Sequence, residues 1–228
     1  MHAVITGASQ GLGRALVEGL GQAGDRMTGV SRGRPATVRS RVQAQIDWIP
    51  ADLSEGEAAS KTILSALGAA CPDVLICNVG IWEPRAFEDD YDFLSDAPDM
   101  LRRLVDINIT STLLLCQALL PRLLTHRKSH IILIGSTSGR PHAGRPEVAF
   151  GASKHALNGM ADALREGFRQ RGLAVTCLHP GYLATGDEAD ASQIPLQDVV
   201  SVLRCALSLS EVSFVREVVM PALADVRF

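Results

Sequence analysis

The chain has no uninterrupted apolar run of bilayer length: its longest candidate, Ile107 to Leu124, is broken by Asn108, Gln117, Pro121 and Arg122. It shows no charged n-region followed by an apolar h-region, because Met1-His2-Ala3-Val4-Ile5-Thr6 leads straight into a strand pattern, so no secretory signal is expected. It has no Cys-x-x-Cys pair and no cysteine beside a histidine at metal-ligand spacing, so neither a disulfide framework nor a metal site is expected. The five cysteines are Cys71, Cys77, Cys116, Cys177 and Cys205. Three of them, Cys77, Cys116 and Cys177, lie in apolar runs and read as small core residues. An odd count without a framework points to a reducing compartment, the cytoplasm. Net charge is only -3, which gives no general attraction to nucleic acid or to an anionic membrane. Repeats, low-complexity tracts and linkers are absent.

What is present is a 228-residue chain, 46% hydrophobic, sized for one α/β domain covering 1–228. Short apolar runs predict strands near 2–6, 26–30, 46–50, 73–77, 129–135, 173–178 and 214–219. Helical periodicity predicts helices near 11–23, 55–70, 98–125, 149–171 and 197–208. Runs such as Val74-Leu75-Ile76-Cys77 and Ile131-Ile132-Leu133-Ile134 are apolar throughout, as strands covered on both faces require. The alternation implies right-handed crossovers and a Rossmann-type, doubly wound parallel sheet in three layers. Two acidic, proline-broken loops, 84–98 and 186–195, follow strand ends where ligands of open sheets bind and are expected to be mobile.

The segment Thr6-Gly7-Ala8-Ser9-Gln10-Gly11-Leu12-Gly13 links the first strand to the first helix. Glycine permits positive φ and removes the Cβ that would hold a pyrophosphate off the backbone. The helix N-terminus adds free N–H groups and partial positive charge. The alternative is a tight strand-helix turn; the flanking strand and helix favour a nucleotide site.

The spacing Gly-x-x-x-Gly-x-Gly resembles that of the short-chain dehydrogenase/reductase family, and six further motifs follow in order. Asp52-Leu53 resembles the family's acidic adenine contact. Asn78-Val79-Gly80 resembles its Asn-Ala-Gly turn beside the cofactor. Asn108 sits where the family holds a relay water. Gly135-Ser136-Thr137-Ser138-Gly139 resembles the substrate-orienting serine segment. Phe150-Gly151-Ala152-Ser153-Lys154 resembles Tyr-x-x-x-Lys, and Pro180-Gly181-Tyr182-Leu183-Ala184-Thr185 the segment whose threonine touches the nicotinamide carboxamide. Counting from Gly139 selects Ser136 as the orienting hydroxyl, counting from Phe150 selects Thr137, and Ser138 is a third candidate. Lys154 and position 150 are four apart, hence on one helix face. An inward lysine there needs hydroxyl-rich or anionic company, which a cofactor ribose provides.

The departure is at position 150. The family's tyrosine passes a proton to the carbonyl oxygen as hydride arrives; Phe150 keeps the ring and has no ionisable proton. Three readings follow: a natural tyrosine replaced to trap a ligand, a native phenylalanine with His142, Tyr182, Lys154 or an Asn108-held water moving the proton, or a cofactor-binding protein without turnover. His142 in the loop Arg140-Pro141-His142 is otherwise an exposed loop histidine.

The second strand ends Ser31-Arg32, and no carboxylate occurs from Met27 to Ile46. An NAD site would place an acid near that end, whereas arginine accommodates a 2′-phosphate, so NADP(H) is expected, with Arg34 close by. The resemblance therefore implies an NADP(H)-dependent oxidoreductase for a small carbonyl or alcohol substrate. Its phosphate contacts are Thr6, Gly7, Ser9, Gln10, Gly11, Leu12 and Gly13. Its remaining cofactor contacts are Ser31, Arg32, Asp52, Leu53, Asn78, Val79, Gly80, Lys154, Pro180, Gly181 and Thr185. Trp82, Ser138, His142 and Tyr182 are candidates on the substrate side. A non-catalytic NADP-binding partner protein and a non-redox lyase or isomerase are the alternatives. Apolar faces on helices 98–125 and 149–171 imply a homodimer or homotetramer.

Overall fold

The computed structural model describes residues 1–141, 145–186 and 192–225. Seven strands form one sheet: β1 (His2–Thr6), β2 (Arg26–Ser31), β3 (Gln45–Pro50), β4 (Val74–Cys77), β5 (Ser129–Ile134), β6 (Leu173–Pro180) and β7 (Glu217–Met220). Their order is β3-β2-β1-β4-β5-β6-β7 and every pairing is parallel. Val4 faces Thr28 on one side and Leu75 on the other, which fixes the register at the centre.

Because side chains alternate across a strand, the apolar runs supply two cores rather than one. Val4, Leu75, Ile131 and Leu133 meet α2 (Glu57–Leu67), α4 (Ser111–Leu123) and α5 (Val148–Phe168) through Ile63, Leu119 and Leu157. Ala3, Ile5, Ile76 and Ile132 meet α1 (Gly11–Gly19) and α6 (Leu196–Leu207) through Leu16, Val200 and Leu203. The result is the expected three-layer, doubly wound Rossmann-like domain. The cysteines expected in the core, Cys77, Cys116 and Cys177, are buried, while Cys71 and Cys205 are exposed; all five are free.

The expected helix 98–125 is not one regular α-helix. It runs as α3 (Pro98–Val105), a π-helical turn (Asp106–Thr110) and α4. Propensity gives no sign of such a turn, within which Asn108 makes the side-chain hydrogen bonds described below. By length and composition the whole span Pro98–Leu123 is sufficient to cross a membrane, with a mean hydropathy of 1.4 over 18 residues, contrary to the expectation from its polar interruptions. Half of that window is buried in the fold, where Leu115, Leu119 and Leu123 lie against the sheet. The loop 84–98, expected to be mobile, follows the buried Glu83 and carries an internal bond in which Tyr91 Oη donates to Asp96 at 2.7 Å. The acidic stretch 187–191 lies outside the described residues.

Candidate active site

The strand order places β1 between β2 and β4, so the connections leaving β1 and β4 run to opposite sides of the sheet. A crevice opens at their C-terminal ends, the usual ligand position in such sheets. The glycine turn lies in it. Gly7 and Gly11 have φ of 63° and 51°. A Cβ on Gly13 would stand 2.2 Å from the Gly7 carbonyl oxygen, so only glycine lets α1 begin this close to β1. Gln10 precedes the helix without a side-chain cap, leaving the first helical N–H groups open to the crevice.

A cleft of about 740 Å³ follows from this turn. Gly7, Ser9, Gln10, Gly11 and Leu12 line it; Thr6 and Gly13 do not. Their work is behind the wall. The Thr6 hydroxyl accepts from the Asn78 and Val79 amides at 3.0 and 3.3 Å and donates to the Ile76 carbonyl. The Asn78 side-chain amide donates to the Thr6 and Gly7 carbonyls at 3.2 and 3.3 Å. Asn78 thus ties the end of β4 to the glycine turn.

One end of the cleft is lined by Ser31, Arg32, Asp52, Leu53 and Ser54, with Val79 on the wall. Arg34 does not line it. Asp52 caps the short 3₁₀ turn Leu53–Glu55, accepting from the Ser54 amide and hydroxyl at 3.0 and 2.8 Å. These bonds hold its carboxyl below the usual carboxylate range, with smaller contributions from Arg32 and Arg103. Arg103, from α3, also lines this end and was not anticipated.

The other end gathers Gly80, Trp82, Ser136, Ser138, Phe150, Lys154, Pro180, Gly181, Tyr182 and Thr185. Ser136 Oγ accepts from the Ser138 amide at 3.1 Å, capping the turn Thr137–Gly139. Lys154 is buried, with Nζ donating to the Ile134 carbonyl at 2.9 Å and lying 5.5 Å from the centre of the Phe150 ring. Burial, with no carboxylate partner among the described residues, lowers its ammonium to about 8. Asn108 is only 2% exposed and does not line the cleft. Its Oδ1 accepts from the Ile81 amide at 2.8 Å; its Nδ2 donates to the Ile81 carbonyl at 2.8 Å and to Ser153 Oγ at 3.0 Å. The side chain that resembles a water holder is here a clamp joining the loop after β4 to α5.

Phe150 stands in an aromatic wall. Its ring meets Phe87 at 5.5 Å and Trp82 at 6.3 Å, both edge to face, and Phe87 meets Tyr182 at 5.7 Å. Two buried carboxylates hold that wall. Glu83 Oε1 accepts from the Ala149 and Phe150 amides at 2.9 and 3.0 Å, capping α5 from outside the helix. Glu147, at the N-cap of α5, accepts in return from the amide of Phe87, whose φ is 73°. Loop and helix thereby brace each other. Among the described residues the second oxygens of both carboxylates have no hydrogen-bond partner. Arg145 lies 4.9 Å from the Tyr182 ring centre, donates to Tyr182 Oη at 2.9 Å and pairs with Asp225.

The structure therefore brings the expected residues into one cleft except for Thr6, Gly13 and Asn108, which support it from behind, and His142, which lies outside the described residues. Sequence reasoning missed Phe87, Arg103, Arg145 and Glu147, which carried no signal at short range. Glu83 carried a readable signal, an acid directly after Trp82 in the loop that follows Gly80. Among the described residues no group of three or more His, Cys, Asp or Glu is placed to hold a metal.

Residues 1–194 match the family model described as short chain dehydrogenase. A dehydrogenase/reductase SDR family member 7B of Bos taurus is 31% identical over 197 residues, covering 80% of this chain and 58% of that protein. An inactive hydroxysteroid dehydrogenase-like protein 1 of Homo sapiens is 29% identical over 83% of this chain and 58% of its own length. The matched segment thus spans less than two thirds of either relative. Among solved structures, an alcohol dehydrogenase from the archaeon Thermococcus sibiricus complexed with 5-hydroxy-NADP superposes with a TM-score of 0.80 at 16% identity, covering 97% of this chain and 96% of that one. A 4-hydroxyisoleucine dehydrogenase complexed with NADH gives 0.78 at 20% identity, covering 97% of both chains.

Proposed function

The chain belongs to the short-chain dehydrogenase family, and on that premise we propose that it binds NADP(H) and acts as an oxidoreductase on a small ketone, aldehyde or secondary alcohol. The observation that carries this reading is the cleft itself. It begins at a glycine turn whose helix N-terminus is uncapped, passes Arg32 at the end of β2, and ends beside a buried lysine. The donors fit a dinucleotide. Amides at Ser9 to Leu12 suit the diphosphate, with Thr6, Gly13 and Asn78 shaping the turn. Arg32 suits a 2′-phosphate. Lys154, whose charge meets no carboxylate among the described residues, suits the ribose hydroxyls. The similar structures include complexes with 5-hydroxy-NADP and with NADH, so the preference for NADP(H) rests on Arg32 and on the absence of an acid from Met27 to Ile46.

When bound, the nicotinamide supplies or accepts the hydride. This chain's residues orient and enclose the reacting carbon: Ser136, Thr137 or Ser138, all lining the cleft, directs the oxygen, and the aromatic wall limits access of water. Phe150 occupies the position that the family resemblance gives to a tyrosine. The missing general acid–base contribution corresponds to about 10² to 10⁴ in rate. A second reading, an NADP(H)-binding protein without turnover, is favoured by Phe150 itself and by the name of the human relative. Phe150→Tyr separates the two. Calorimetry on the unaltered chain should detect NADPH, and the variant should reduce a panel of ketones at least about a hundredfold faster. Absence of NADPH binding would remove both readings, while binding without a gain leaves the non-catalytic one.

The outer faces of α3 to α5 leave Val105, Leu113 and Val148 exposed, which supports self-association through these helices.

A further inference from the structure

Four cationic side chains line the cleft, Arg32, Arg103, Arg145 and Lys154, against a single carboxylate among the described residues, Asp52. Two of the four are engaged: Lys154 with the Ile134 carbonyl, Arg145 with Tyr182 and Asp225. The other two share one end of the cleft with Asp52, whose Oδ1 is already taken by Ser54. Neighbouring arginines on the same elements behave differently. Arg102, adjacent to Arg103 in α3, pairs with Asp99, and Arg41, in the loop after Arg32, pairs with Glu18.

Two exposed guanidinium groups beside a pocket wall, each without a carboxylate of its own among the described residues, repel one another unless an anion lies between them. They approach from different elements, Arg32 from the loop after β2 and Arg103 from the last turn of α3. Both act on the carboxyl of Asp52, so their charges converge on one region. Guanidinium groups are suited to bind phosphate oxygens in pairs. Resting on the NADP(H) reading above, we infer that Arg103 is a second specificity residue, closing with Arg32 a two-sided clamp on the cofactor's 2′-phosphate. Arg32 alone discriminates at the strand end; Arg103 supplies the opposite jaw and removes any need for a basic residue within the glycine turn, where Gln10 stands.

The test uses the 228-residue chain and two probes that differ by one phosphate, 2′,5′-ADP and ADP, with calorimetry as the readout. For Arg103→Ala the affinity for 2′,5′-ADP should fall by about 10- to 100-fold, the range of a lost charge-assisted hydrogen bond, while ADP stays within about twofold. Arg103→Lys should recover part of the loss. Unchanged binding of both probes by Arg103→Ala overturns the clamp. An equal loss for both probes also overturns it, since that is the signature of stacking on the adenine. If the unaltered chain does not prefer 2′,5′-ADP over ADP, the NADP(H) reading fails and the clamp with it. If that preference stands and Arg103→Ala keeps it, only the clamp fails.

Discussion

At the scale of single residues, Lys154 is the clearest case of a group placed at some cost to stability. Its ordinary ammonium is lowered to about 8 by burial, so between about pH 8 and 10.5 the unfolded chain binds a proton that the folded chain does not. Folded-state stability should therefore rise with pH across that window. Relative to Lys154→Met, the unaltered chain should gain on the order of 3 kcal/mol from the lower to the upper limit, read from urea midpoints at several pH values. A flat difference would show that the ammonium is compensated. Glu83 is the complementary case. Replacing it by alanine leaves the Ala149 and Phe150 amides unpartnered at a buried helix end and should cost about 1–3 kcal/mol; Glu83→Gln should recover much of it, as a neutral acceptor remains. The motif residues Lys154, Ser136 and Arg32 were legible because fixed spacing announces them. Arg103, Phe87 and Glu147 were not, because each reaches the cleft from an element whose approach only the tertiary packing sets.

At the scale of elements, the seven strands were readable from their apolar runs, including β7, which pairs in parallel with β6. Helix limits were less readable. α1 stops at Gly19 rather than 23, and α2 begins only after the 3₁₀ turn capped by Asp52, because local hydrogen bonds decide ends that periodicity leaves open. The first turn is the element whose geometry tolerates least. Gly13→Ala must displace α1 from β1, since the added carbon would overlap the Gly7 carbonyl. Far-UV circular dichroism should be nearly unchanged while NADPH affinity falls more than about tenfold, roughly the loss of one good hydrogen bond to a charged group. Retained affinity would place the diphosphate elsewhere.

At the scale of the whole molecule, strand order matters more than any single contact, since it brings residues from 7 to 185 to one edge of the sheet. Self-association can be checked directly. Leu113→Glu on the exposed face of α4 should shift a dimer or tetramer toward monomer in light scattering, and an unchanged mass would exclude that face. The π-helical turn has a different consequence, concerning tolerance of chain-length change. In a regular α-helix, losing one residue rotates everything beyond it by about 100° and would swing Leu115, Leu119 and Leu123 off the sheet. Between Asp106 and Thr110 the backbone already carries one residue per turn more than an α-helix needs. Excision of Ile109 alone would let that turn relax to α-geometry with both flanks still seated. The same excision would shift Asn108 relative to Ile81 and Ser153, so the clamp between the loop after β4 and α5 should loosen while the helices stay in place.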